Sequence, residues 1–230
     1  SMPTLGSGIV TVQAAQQVES ALRQAHLAHR AGRLEEARAR CLEALKLQPR
    51  RLDATVLLGI IAAQTGDLRG AVALFDQVLA LDPRNLAAHQ NRGNALRALR
   101  EPAAALASYD RAIGIAPDQA PSHNGRGKAL LDLGRYEAAL ASHDRAIALK
   151  PDYAAAHLDR AAALMGMMRC EAVIAGVDRA LALKSDLPGA WQLRANALYA
   201  AGRLEEALQS YDRAIALQPG DAKAHHNRGS

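Results

Sequence analysis

The sequence predicts an all-α fold, an α-solenoid of stacked helix pairs, and three observations carry that prediction. The first is a period. Proline returns at one fixed interval at Pro49, Pro83, Pro117 and Pro151 and again at Pro219, with Ser185 standing at the one missing mark. Whole phrases return with it: NRGNAL at Asn91–Leu96, YDRAI at Tyr109–Ile113 and Tyr211–Ile215, HDRAI at His143–Ile147. A unit of this length is one supersecondary element that cannot bury its apolar face alone, so units stack. The second observation is composition: of 230 residues 50% are apolar but only 3% aromatic, and the strong helix formers Ala, Leu and Arg dominate. The third is that each period holds two stretches with apolar residues at i, i+3, i+4 and i+7, divided by a stop signal.

Taken in order, residues 1–13 read as a cloning scar (Ser1-Met2) and an N-terminal linker, and the solenoid is expected over 14–230. Its units fall at about 18–51, 52–85, 86–119, 120–153, 154–187 and 188–221, with a partial seventh over 222–230. They predict twelve helices in six antiparallel pairs and a short thirteenth beginning near Ala222. The fourth unit shows the pattern plainly. Gly127, Leu130 and Leu131 lie on a first helix that Gly134 stops. Tyr136, Ala139, Leu140, Ala146, Ile147 and Leu149 lie on a second that Pro151 closes. The third unit has Arg100 in place of the turn glycine but supplies Pro102, suited to the first turn of a helix. Helices of this length are marginal alone, so packing must hold them. The fifth unit departs most, reading MGMMRC at Met165–Cys170, and is a candidate soft point.

These units resemble the tetratricopeptide repeat. The family's small residue on the first helix appears as Gly59, Gly93, Gly127, Ala161 and Ala195. Its first alanine on the second helix is Ala37, Ala71, Ala105, Ala139 and Ala207; its second is Ala44, Ala112, Ala146, Ala180 and Ala214. The large residue between them is Phe75, Tyr109, His143 or Tyr211, and Trp191 matches the family's first-helix tryptophan. The resemblance covers about residues 15–230. It implies a right-handed superhelix whose first helices line a concave groove that binds protein or peptide. The groove positions it implies are Leu22, His26, Arg30, Val56, Ile60 and Gln64, then Gln90, Asn94, Arg97, Asn124, Lys128 and Leu131. They continue through Leu158, Ala162, Met165, Gln192, Asn196 and Tyr199. The polar members, Gln64, Gln90, Asn94, Arg97, Asn124, Lys128, Gln192, Asn196 and Tyr199, are the candidate site, because amides offer a donor and an acceptor to an extended backbone. The carboxylate clamp of chaperone-binding members is not matched, since Gly125 follows Asn94 at the partner position. The units also resemble the repeat arm of bacterial relatives of O-linked N-acetylglucosamine transferase, which implies a substrate-recruiting role beside an enzyme. Self-association through an uncapped C-terminal end, giving a homodimer, is a third expectation.

Other function classes find little support. The net charge of +5 comes from arginines spread at fixed repeat positions beside Asp, not from a basic run, and few aromatics could stack on bases. Nucleic acid is therefore not an expected partner. The longest apolar run, Ala54–Ala63, is too short for a membrane span and contains Gly59. Cys41 and Cys170 lie four units apart, too far for a disulfide, and two free thiols favour a reducing, cytoplasmic setting. His89, His123, His157 and His225 keep one phase, but equivalent places are a whole repeat apart, so they read as packing positions and not metal ligands. No nucleophile–base pair or phosphate loop stands out, so the chain reads as non-catalytic, with no cofactor.

One pattern concerns stability. Asp76, Asp110, Asp144, Asp178 and Asp212 each precede an arginine by the same interval, which pairs them with Arg92, Arg126, Arg160, Arg194 and Arg228. Where the Asp is missing, Leu42 stands at that interval before Leu58, so both members change together. The pattern predicts a half-buried ladder of ion pairs running from each unit to the next.

Overall fold

The computed structural model describes residues 5–217, with side chains from Val12 onward except Pro188. Twelve α-helices account for them and no strand occurs among them: α1 (Leu5–Arg30), α2 (Leu34–Leu47), α3 (Leu52–Gln64), α4 (Leu68–Leu81), α5 (Leu86–Ala98) and α6 (Pro102–Ile115), then α7 (Ala120–Asp132), α8 (Tyr136–Leu149), α9 (Ala154–Gly166), α10 (Cys170–Leu183), α11 (Pro188–Ala200) and α12 (Leu204–Leu217). The expected thirteenth helix falls outside the described residues. The one difference in extent is α1, which begins at Leu5 and so runs through most of the segment expected to be linker. No proline interrupts that stretch, and Val18, Ala21, Leu22, Ala25 and Ala28 give its later part a fully buried stripe.

The helices form two compact units, one over Ser1–Ile115 and the other over Ala116–Ser230. Each is a short α-solenoid of three helix pairs: α1–α2, α3–α4 and α5–α6 in the first, α7–α8, α9–α10 and α11–α12 in the second. Within a unit each second helix also packs on the first helix of the next pair. First helices of neighbouring pairs touch, α1 with α3 and α3 with α5, α7 with α9 and α9 with α11, whereas second helices make no comparable contact. The first helices therefore lie on the inner side of each stack.

The turn inside every pair has one geometry. Gly32, Gly66, Gly134 and Gly202 adopt φ of 70° to 92°, and Arg100 and Met168 adopt 63° and 58° at the same place. The left-handed residue is thus demanded by the chain reversal whether or not glycine is there to supply it. Asp67 and Asn85 cap the following helices through Gly70 N at 2.9 Å and Ala88 N at 3.0 Å.

Small and large residues meet where the paired helices cross. A β-carbon on Gly59 would come within 2.6 Å of the Phe75 ring, one on Gly93 within 2.8 Å of Tyr109, and one on Gly127 within 2.5 Å of His143. Ala71, Ala105, Ala139, Ala112 and Ala146 are fully buried on the facing helices. The core is thus a row of small clusters, such as Ala25, Ala28, Ala37, Cys41, Leu57 and Ile61 between the first two pairs. Burial pushes the Cys41 thiol up to about 11, and neither it nor Cys170 is in a disulfide.

The ion-pair ladder is present inside both units. Arg92 Nε donates to Asp76 Oδ1 at 2.7 Å, Arg160 Nε to Asp144 Oδ1 at 2.6 Å, and Arg194 Nε to Asp178 Oδ1 at 2.7 Å. The Asp110–Arg126 rung would join the two units, and Arg228 lies outside the described residues. The rungs also have a third member. Arg92, Arg126 and Arg194 donate from Nη1 to Ser108, Ser142 and Ser210, the same interval further along the chain, at 2.8–2.9 Å. Each serine in turn donates to the carbonyl four residues back. A guanidinium between a carboxylate and a hydroxyl ties three successive helices together.

Candidate functional site

The phased histidines have a structural task. His89 Nε2 meets the Pro83 carbonyl at 2.9 Å, His123 that of Pro117 at 2.7 Å, and His157 that of Pro151 at 2.9 Å. Each imidazole N–H donates across the connection between two pairs and fixes the proline turn against the helix that follows. Where the second pair has Thr55 instead, its hydroxyl donates to the Arg51 carbonyl at 3.1 Å. His225 lies outside the described residues. Among those described, no group of three or more His, Cys, Asp or Glu side chains could hold a metal, and no helix is long and apolar enough to cross a membrane.

The expected groove residues fall on the inner helices, the polar candidates on α3, α5, α7 and α11, and the structure distributes these candidates unevenly. In the first unit Asn94 is exposed, and Tyr109 Oη donates to its Oδ1 at 2.7 Å. That bond sets the amide plane and leaves the NH2 group facing away from the phenol, with no described residue accepting from it. Gln64 is exposed and its Oε1 meets His29 Nε2 at 2.9 Å, joining α1 to α3. Gln90 and Arg97 are half-buried, and each holds an interaction of its own. Val56 and Ile60 give the floor an apolar stretch packed on the core around Phe75.

The second unit repeats the tyrosine–asparagine device, with Tyr211 Oη donating to Asn196 Oδ1 at 2.6 Å. Gln192 is half-buried beside it and Tyr199 is 50% exposed. Asn124 is different. It is 4% exposed, its Nδ2 donates to Asp159 Oδ2 at 2.8 Å, and its Oδ1 accepts from His143 Nδ1 at 2.8 Å. Both ends of the amide are engaged inside the unit, so Asn124 is part of a buried network and its removal is not the harmless groove truncation its position suggests. Lys128 stands 3.9 Å from Asp159, half-buried at the edge of that network.

His143 is fully buried, and with Nδ1–H donating to Asn124 its Nε2 is a bare acceptor with no partner. Burial pushes its pKa down from 6.5 to about 4, Lys128 and Arg160 acting in the same sense and Asp159 and Asp144 against it. At this phase Phe75, Tyr109 and Tyr211 stand in three of the other helix pairs, and Val177 in the pair that follows. Histidine is shorter than tyrosine and cannot reach the groove, and Lys128 stands in this unit where Asn94 and Asn196 stand in theirs. Asp159 is the residue that sequence reasoning passed over. Its signal was available: an acid at the phase where other units carry Asn91, Gly125 or Leu193.

A repeat family accounts for this arrangement. Tetratricopeptide repeat models match residues 22–75 and 62–120 and again 127–167 and 195–230. The chain belongs to the tetratricopeptide repeat family. Among solved structures it is similar to PilW, a type IV pilus biogenesis factor, at 20% identity and TM-score 0.83, covering 91% of this chain and 97% of that one. It is similar also to PilF of Pseudomonas aeruginosa, at 16% identity and TM-score 0.80, covering 94% and 99% of the two chains. A third is YrrB, a tetratricopeptide protein with an unusual peptide-binding site, at 18% identity and TM-score 0.62, covering 83% and 98%. These likenesses concern the fold. No curated protein sequence matches the chain.

Proposed function

We propose that the protein is a non-catalytic scaffold that binds an extended protein or peptide segment along the inner faces of its helix pairs. The observation that carries this reading is the paired device of Tyr109 with Asn94 and Tyr211 with Asn196, one in each unit. A phenol that fixes an amide from behind orients it before any partner arrives, so the ordering cost on binding is lowered. An oriented asparagine can donate to one backbone carbonyl of an extended peptide. Gln64, Gln192 and Lys128 add polar contacts, Gln90, Arg97 and Tyr199 frame the same faces, and Val56 and Ile60 supply apolar floor. Asn124 serves by holding His143 and Asp159, not by touching the ligand.

The test uses peptides selected from a displayed random library against the whole chain. Asn94→Ala should weaken the selected peptides by about 2- to 10-fold, the loss of one hydrogen bond, with little change in melting temperature. Tyr109→Phe should weaken them in the same direction by releasing the asparagine while leaving it in place. Peptides that bind both variants as tightly as the parent chain would remove the inner face as the site.

A further inference from the structure

One charge pair on the first helices of the second unit has no counterpart in the other helix pairs. The position that holds Asn94 in the third pair and Asn196 in the sixth is His26, Ile60 and Ala162 in the first, second and fifth, and Lys128 in the fourth. The counter-charge comes from the next inner helix, α9. Lys128 Nζ stands 3.9 Å from Asp159 Oδ2, too far for a hydrogen bond, and that oxygen already accepts from Asn124 Nδ2 at 2.8 Å. No described residue accepts from the ammonium, so its three donors are left for a ligand.

The surrounding groups leave this pair to itself. His143, with its pKa pushed down to about 4, is neutral, and Asp144 and Arg160 hold each other across the ladder at 2.6 Å. Burial, and after it Asp159, holds the Tyr153 phenol above its ordinary value, so it too is uncharged. Asp132, one turn further along α7, has an interaction of its own. What remains is an ammonium 37% exposed with a carboxylate 21% exposed behind it. A lone ammonium would draw in a carboxylate, whereas one backed by Asp159 offers hydrogen bonds with little net charge. A carbonyl accepts such bonds freely, but an approaching carboxylate is attracted by Lys128 and repelled by Asp159. Resting on the inner-face reading above, we propose that Asp159 is a specificity-determining residue. It cancels the charge of Lys128, so that the second unit takes an uncharged stretch of a partner segment through its carbonyl groups and gains nothing from an acidic one.

The probe is a peptide selected from a displayed library against the whole chain and weakened by Asn196→Ala, which seats it on the second unit. It is remade with Gln and with Glu at each position in turn. In the parent chain the two versions should bind within about twofold of each other at the position that meets Lys128. Asp159→Asn keeps the side-chain shape and can still accept from Asn124. At that position it should make Glu bind about 3- to 10-fold more tightly than Gln, the scale of one partly screened charge contact. Lys128→Met uncovers Asp159 and should turn the preference toward Gln at the same position by a similar factor, and the double variant should again be indifferent. A merely structural role would weaken both versions together and leave their ratio alone. The proposal is overturned if neither single variant changes the Glu-to-Gln ratio at any position by more than about twofold; the inner-face reading then stands on Asn196. If no selected peptide is weakened by Asn196→Ala, the second unit loses that reading and this proposal falls with it.

Discussion

Removing one carboxylate from the ladder tests the account of how helix pairs are held in register. Asp178→Ala deletes the acceptor of Arg194 Nε, a contact of 2.7 Å, while Arg194 Nη1 keeps its 2.8 Å bond to Ser210. The arginine side chain is 20% exposed and the aspartate 50%. A hydrogen bond to a charged group contributes about 1.5–3 kcal/mol, and an exposed ion pair about 0–1 kcal/mol. The guanidinium here is mostly covered but its partner is half in water, so the cost falls between, at about 1–1.5 kcal/mol. For a chain of this size that is a fall in melting temperature of roughly 2–6 °C. The assay is urea unfolding followed by circular dichroism for Asp178→Ala, Arg194→Ala and the double variant. A coupling energy of about 1 kcal/mol is expected. Arg160 has Gly176 where the serine would be and is 34% exposed, so the Asp144–Arg160 coupling should be smaller. The triple change Asp178→Leu, Arg194→Leu and Ser210→Leu copies Leu42, Leu58 and Leu74 and should leave stability equal or higher. Additivity within about 0.5 kcal/mol in the Asp178–Arg194 cycle would refute the reasoning.

Two further outcomes follow from the same structure. The folded-state pKa of His143, about 4, lies below its ordinary 6.5, so the unfolded chain takes up this proton first as pH falls. Its contribution is therefore unchanged above about pH 6.5, declines between there and about 4, and levels off below, a total of roughly 3 kcal/mol. His143→Phe, which copies Phe75 against Gly59, should flatten that part of the stability–pH curve; parallel curves for parent and variant would contradict it. Arg100 and Met168 sit at φ 63° and 58°, a conformation that costs a side-chain-bearing residue about 1–2 kcal/mol. Because glycine has more freedom to lose on folding, Arg100→Gly and Met168→Gly should each gain only about 0.5–1 kcal/mol. A lower melting temperature for either would show that its side chain does more than complete a turn.

Much of this molecule is legible in one dimension because a repeat states its own contacts. The period located all six helix pairs, and the small residues at Gly59, Gly93 and Gly127 marked where helices cross. The joint change of Asp and Arg to Leu42 and Leu58 identified which residues of successive units meet. Such features depend on spacing along helices of known pitch, and spacing is written in the chain. What a side chain does once it arrives is not. Asn94 and Asn124 are the same residue type on equivalent helices. One is presented to solvent by Tyr109 and the other is buried between His143 and Asp159. The phased histidines suggested packing without showing that His89, His123 and His157 each hold a proline carbonyl. Periodicity sets which residues lie at a junction. Burial, the direction of a hydrogen bond and the volume left unfilled depend on several neighbours at once, and only the packed tertiary structure brings those neighbours together.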